Sequence, residues 1–194
     1  KPDNILLDDF LFAKISDFGL SKIKDNIKNN IESTIGGILK GTPMYMSPEI
    51  WKEYEYSKNS DVYAFGMILY QIFTDEKPFQ NCNYFHIQIQ LQKGYRPKIN
   101  EKVPPAYKEL IERCWSEDSN KRPTFENITN ELRTNRRFIT DDVNEEEYMK
   151  YINYIDNYQS SFGEKNKEMI AKLFQVFRIK ETEAHRLILF IHML

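Results

Sequence analysis

Cysteine is scarce in this chain: Cys82 and Cys114 are the only two in 194 residues. No metal-ligand residues are spaced around them, so they read as reduced thiols of a cytoplasmic protein and argue against a disulfide framework. The three histidines, His86, His185 and His192, form no spaced cluster, which argues against a zinc site. Neither sign of charge dominates. A formal net charge of -2 gives no ground for a nucleic-acid or membrane partner. Long apolar runs are missing too. Leu187 to Ile191 is far shorter than the ~20 residues a spanning helix needs, so no membrane span is expected. The polar start Lys1-Pro2-Asp3-Asn4 is not a signal peptide, and no internal repeat is visible.

What is present is an ordinary globular composition, 41% hydrophobic and 29% charged, enough for one domain with a core and an appendage. Ile5-Leu6-Leu7 and Ala13-Lys14-Ile15 flank Asp8-Asp9 and predict a short β-hairpin. Residues 20–40 are polar and carry Gly36-Gly37, the pattern of a long loop. Ser60 to Thr74 predicts a helix buried on nearly every side, with Val62, Phe65, Ile68, Leu69, Ile72 and Phe73 spread around it and Ser60 or Ser57 as its cap. Further helices are expected over 84–92 (ended by Gly94), 107–115 and 124–132, with Pro97, Pro104 and Pro105 marking a loop. A charge-rich break follows over 133–147. Then come helical patterns from Tyr148 to Ile155 and from Glu181 to Leu194. The expected fold class is mainly α: a short hairpin, a buried central helix and a helical C-terminal tail.

The motifs that carry chemistry follow one another in order. Lys1-Pro2-Asp3-Asn4 precedes Asp17-Phe18-Gly19. Gly41-Thr42-Pro43-Met44-Tyr45-Met46-Ser47-Pro48-Glu49 comes next, then Asp61-Val62-Tyr63-Ala64-Phe65-Gly66, Cys114-Trp115 and Lys121-Arg122-Pro123-Thr124-Phe125. Together they resemble the C-terminal lobe of a eukaryotic protein kinase over residues 1 to about 132, with Ser47 where the family usually has alanine. Lys1 and Gly41-Thr42-Pro43 are similar to the serine/threonine form, and Cys114-Trp115 with Arg122-Pro123 resembles the tyrosine-kinase-like group of that class.

The resemblance implies transfer of the ATP γ-phosphate to protein hydroxyls, with Mg2+ as the metal. Magnesium prefers oxygen donors, and Asn4 and Asp17 supply an amide oxygen and a carboxylate, so both are assigned to metal and nucleotide binding. Phe18 packs to orient Asp17, and Gly19 gives the loop its backbone freedom. Lys1 is placed beside the transferred phosphoryl group and Thr42 against the catalytic loop. Glu49 and Arg122 are implied to form a buried ion pair, and Asp61 to accept hydrogen bonds from the catalytic loop. Ser33 and Thr34, in the long loop, are candidate regulatory phosphosites.

By the same resemblance, the catalytic aspartate belongs two residues before Lys1, and the Gly-rich loop, the strand lysine and its glutamate partner belong to a small N-terminal lobe. None of these patterns is in the chain, which begins without methionine directly on a motif. The N-terminus therefore reads as incomplete, and the 194 residues alone are expected to be inactive. The organisation expected is a partial kinase domain over 1–137 and a helical extension over 138–194 that docks either on a partner or on the lobe itself. The expected partners are protein substrates, ATP and the missing N-lobe, in intracellular signalling. The alternative is a pseudokinase or scaffold that uses the lobe as a docking surface.

Overall fold

The computed structural model describes residues 1–7, 13–17, 41–53, 56–141 and 143–158. Phe18, Gly19, Ser33, Thr34 and the expected helix over 181–194 lie outside them.

The expected hairpin is present. Strand β1 (Ile5–Leu7) pairs antiparallel with β2 (Ala13–Ile15), with Ile5 opposite Ile15 and Leu7 opposite Ala13. The other main elements among the described residues are helices: α1 (Pro48–Glu53), α2 (Lys58–Thr74), α3 (Tyr84–Gln92), α4 (Pro105–Cys114), α5 (Phe125–Thr134) and α6 (Glu145–Tyr158). The fold is mainly α, organised around α2.

Helix α2 is buried along its length, from Val62 through Tyr63, Phe65, Met67, Ile68 and Leu69 to Tyr70. Of the two serines able to cap it, Ser57 is the N-cap and Ser60 stands at N3. Each side chain bonds the other residue's backbone, so two orphan N–H groups of the first turn are satisfied. The helix stops at Asp75, which takes a left-handed φ of 55° and returns its N–H to Gln71. Helix α4 lies across α2 where Gly66 leaves room, and a Cβ there would stand 2.8 Å from Cys114 Cβ. Cys114 is fully buried and its thiol is pushed up to about 12 by that burial, so it is a packing residue; Cys82 is also a free thiol.

Helix ends shift by a few residues from the sequence reading, and two differences have a physical cause. Pro105 opens α4 and does not mark a loop, because proline suits the first helical turn, where its missing N–H has no partner to lose. The charge-rich 133–147 stretch is not a plain break either. It contains a 3-10 turn, Arg136–Phe138, whose Phe138 is buried. Helix α6 then returns against α5, with Tyr148 and Ile152 buried. No helix among the described residues is long and apolar enough to cross a membrane.

Candidate active site

The hairpin register brings the first two motifs together. Beyond the Ile5–Ile15 pair, the Asn4 carbonyl accepts both the backbone N–H of Ser16 at 2.8 Å and its hydroxyl at 3.1 Å. Asn4 therefore lies across from the residue next to Asp17, at one end of the hairpin. Asp17 itself has a φ of 60°, a left-handed conformation that costs a non-glycine residue energy and recurs at functional sites. Asn4 closes a 3-10 turn over Pro2–Asn4, its N–H returning to Lys1 at 3.0 Å. Lys1 reaches Asp3 only loosely, at 3.8 Å.

An amide oxygen and a carboxylate are hard donors that suit magnesium, but two side chains do not complete its shell. Among the described residues no group of three or more His, Cys, Asp or Glu is placed to hold a metal alone. As donor types they are compatible with a hard divalent cation that takes its other ligands from elsewhere.

Asp61, in the first turn of α2, faces the same region. Desolvation raises its carboxyl pKa. Thr42 begins a 3-10 turn, Pro43–Tyr45, and its carbonyl accepts the Tyr45 N–H at 3.1 Å. Tyr45, which the sequence does not single out, ties this segment to α2 by donating to Gln71 Oε1 at 2.7 Å. Burial, and then the negative charge of Asp3, push its phenol up to about 12. The 42–45 segment thus rests between α2 and the loop that bears Asn4.

The expected Glu49–Arg122 pair forms in full. Arg122 forks onto the carboxylate, Nη1 to Oε1 at 2.7 Å and Nη2 to Oε2 at 2.8 Å, with its own side chain fully enclosed. Its Nε donates to the Ser116 carbonyl at 2.9 Å and Nη1 also reaches the Asn59 carbonyl at 2.9 Å. Ser60 donates to Glu49 Oε1 at 3.0 Å. Desolvation is the largest single influence on Glu49 and would raise its pKa, but the hydrogen bonds the carboxylate accepts, those of Arg122 first among them, and the Arg122 charge together outweigh it and hold the carboxyl down at about 2.

Around this pair runs a circuit that motif reading misses. The Arg122 guanidinium lies 5.1 Å from the Tyr63 ring centre, and Arg96 lies 5.3 Å from the same ring. Arg96 pairs with Glu117 at 2.9 Å, and Glu117 with Lys52 at 2.8 Å. Lys52 is on α1, the helix that carries Glu49, so the circuit closes on itself.

Comparison with known proteins agrees with this architecture. The family model described as protein tyrosine and serine/threonine kinase matches residues 2–132. A Dictyostelium discoideum relative named as the dual specificity protein kinase shkA is 40% identical over 134 residues, covering 68% of this chain and 25% of the relative. A putative serine/threonine-protein kinase/receptor of Acanthamoeba polyphaga mimivirus is 34% identical over 128 residues, covering 66% of this chain and 7% of the relative. A probable LIM domain-containing serine/threonine-protein kinase of Dictyostelium discoideum is 37% identical over 130 residues, covering 67% of this chain and 13% of the relative. The chain spans a quarter or less of the length of these relatives. With the helical lobe, the hairpin and the Glu49–Arg122 clamp in place, the chain belongs to the protein tyrosine and serine/threonine kinase family.

Proposed function

We propose that this lobe serves a protein serine/threonine kinase that moves the γ-phosphate of ATP to hydroxyls of protein substrates. The observation that supports it most is the register that sets Asn4 across from the residue beside Asp17. In this reading both side chains would hold magnesium, which when bound would supply charge neutralisation for phosphoryl transfer. Lys1 adds a cation at that group, Thr42 steadies the segment beside the catalytic loop, and Phe18 and Gly19 complete the magnesium loop. Asp61 supports the catalytic loop. The general base and the phosphate-covering loop come from parts of the parent protein outside these residues. A cytoplasmic setting and control through Ser33 and Thr34 belong to the same reading.

The test uses the full-length protein. Purified wild type is expected to phosphorylate a protein substrate on serine or threonine in a magnesium-dependent reaction. Asp17→Ala and Asn4→Ala are each expected to lower the rate by at least ~100-fold without unfolding the lobe. A folded full-length protein with no transfer, or one whose transfer survives Asp17→Ala, overturns the enzymatic reading; the former outcome favours the scaffold.

A further inference from the structure

The kinase family match ends at Leu132, but the packing of the lobe does not. Leu132 lies near the C-terminus of α5, where helix carbonyls lose their intrahelical partners. Its carbonyl accepts the Tyr148 hydroxyl of α6 at 2.8 Å, in a buried position. Between the two helices, the Asn135 side chain caps the Arg136–Phe138 turn by accepting the Arg137 N–H at 3.1 Å. That turn delivers Phe138 to the core at 4% exposure. The Phe138 carbonyl accepts the Tyr107 hydroxyl of α4 at 2.7 Å, and its ring meets Tyr107 edge-on at 5.0 Å. Tyr107 in turn lies 4.3 Å from Phe73 of α2. Helix α6 then begins with the Asn144 side chain accepting the Glu147 N–H at 3.1 Å and with Glu145, Glu146 and Glu147 in its first turn, where acidic side chains suit the helix dipole. Tyr148 and Ile152, four residues apart on one face, are 4% and 6% exposed.

We propose that residues 135–158 are an intramolecular strap: the ends of α4 and α5 form a docking surface whose occupant is this chain's own tail. The contacts that favour this over a loosely resting tail are buried and specific. Two tyrosine hydroxyls cross the seam in opposite directions, Tyr107 to the tail and Tyr148 from it. The exposed ion pairs add little, since exposed pairs are screened by water and salt: Arg137–Glu109 crosses the seam, and Arg136–Glu145 lies within the tail itself. The strap ties together the far ends of α4 and α5, while their near ends flank the loop that carries Arg122. The same two helices are therefore held at one end by the tail and at the other by the Glu49 clamp. In this protein the folded lobe runs at least to Ile152.

Amide hydrogen exchange on the full-length protein decides the point without any activity readout, so its failure is separable from failure of the kinase reading. Amides of 148–152 are expected to exchange as slowly as those of 125–132, opening with the same unit. Exchange of 148–152 at least ~100-fold faster than α5 overturns the strap. Tyr148→Ala with Ile152→Ala is expected to lower the melting temperature of the lobe by about 5–10 °C, while Met149→Ala, on the exposed side of α6, leaves it unchanged. Where the double variant fails to fold, Tyr148→Phe removes only the hydroxyl and is expected to speed exchange in the last turn of α5. An unchanged melting temperature in the double variant, or unchanged α5 exchange in Tyr148→Phe, overturns the proposal.

Discussion

Arg122 carries its charge with no exposed side-chain surface and satisfies it with both oxygens of Glu49 and two backbone carbonyls. Such a group is costly to strand. Arg122→Ala, which leaves the carboxylate without its partner, is expected to destabilise the lobe by about 3–5 kcal/mol in urea melts. Arg122→Lys should recover only part of that, because a point charge cannot fork onto two oxygens. The pH dependence follows from the depressed Glu49 pKa. Its folded value of about 2 lies below the ordinary 4.5, so the pair's contribution is full above pH 4.5 and is lost as pH falls towards 2. Between those values wild type should lose about 3 kcal/mol that Glu49→Gln does not lose, which parallel urea titrations at pH 6 and pH 2.5 would reveal. At this scale the sequence is informative about motif partners and silent about their surroundings. Glu49 and Arg122 stand in recognisable strings, whereas Ser60, Tyr63 and Arg96 gather around them, and Tyr45 bonds Gln71, through contacts that only the folded chain creates.

Helix α2 is legible because its apolar residues cover every face and a serine stands before it. Its C-terminal end and both candidate caps can be read from the string, and the structure selects Ser57, so that the helix starts at Lys58, two residues before the expected Ser60. Ser57→Ala is expected to cost about 1 kcal/mol in thermal melts. Gly66 is less obvious. In a helix interior, alanine should be better than glycine by about 1 kcal/mol. Here the added Cβ meets Cys114 Cβ at 2.8 Å, so Gly66→Ala is expected to destabilise by about 1–3 kcal/mol instead. Cys114→Ala in the same chain should not relieve it, since the collision is with Cβ and not with sulfur; recovery in that double variant would refute the close α2–α4 contact. Helix α1 is hard to read, being six residues with too few turns to show a period. The 133–147 stretch misleads in a different way. Its charges pair on the surface, as Arg136 does with Glu145, while a lone Phe138 carries the burial. A composition window averages the two and reports a linker.

At the scale of the whole molecule, order along the chain made the fold class readable, because the hairpin, the central helix and the late helices follow one another as the motifs do. The Asn4 and Asp17 side of the candidate site is legible as residue types, and its backbone proximity rests on a single register between Asn4 and Ser16. What composition could not anticipate is how the parts hold one another. Helix α1 has two separate moorings: Glu49 to Arg122, and Lys52 through Glu117 to Arg96, which meets Arg122 again across the Tyr63 ring. Cutting the outer one by Lys52→Ala should cost under about 1 kcal/mol, as for other exposed pairs. With Arg122 already replaced, the same cut should cost more, because the other ion-pair mooring of the helix is then gone. A survey of single substitutions would therefore score Lys52 as dispensable, and only a paired one would show it to be the reserve hold on the segment that carries Glu49.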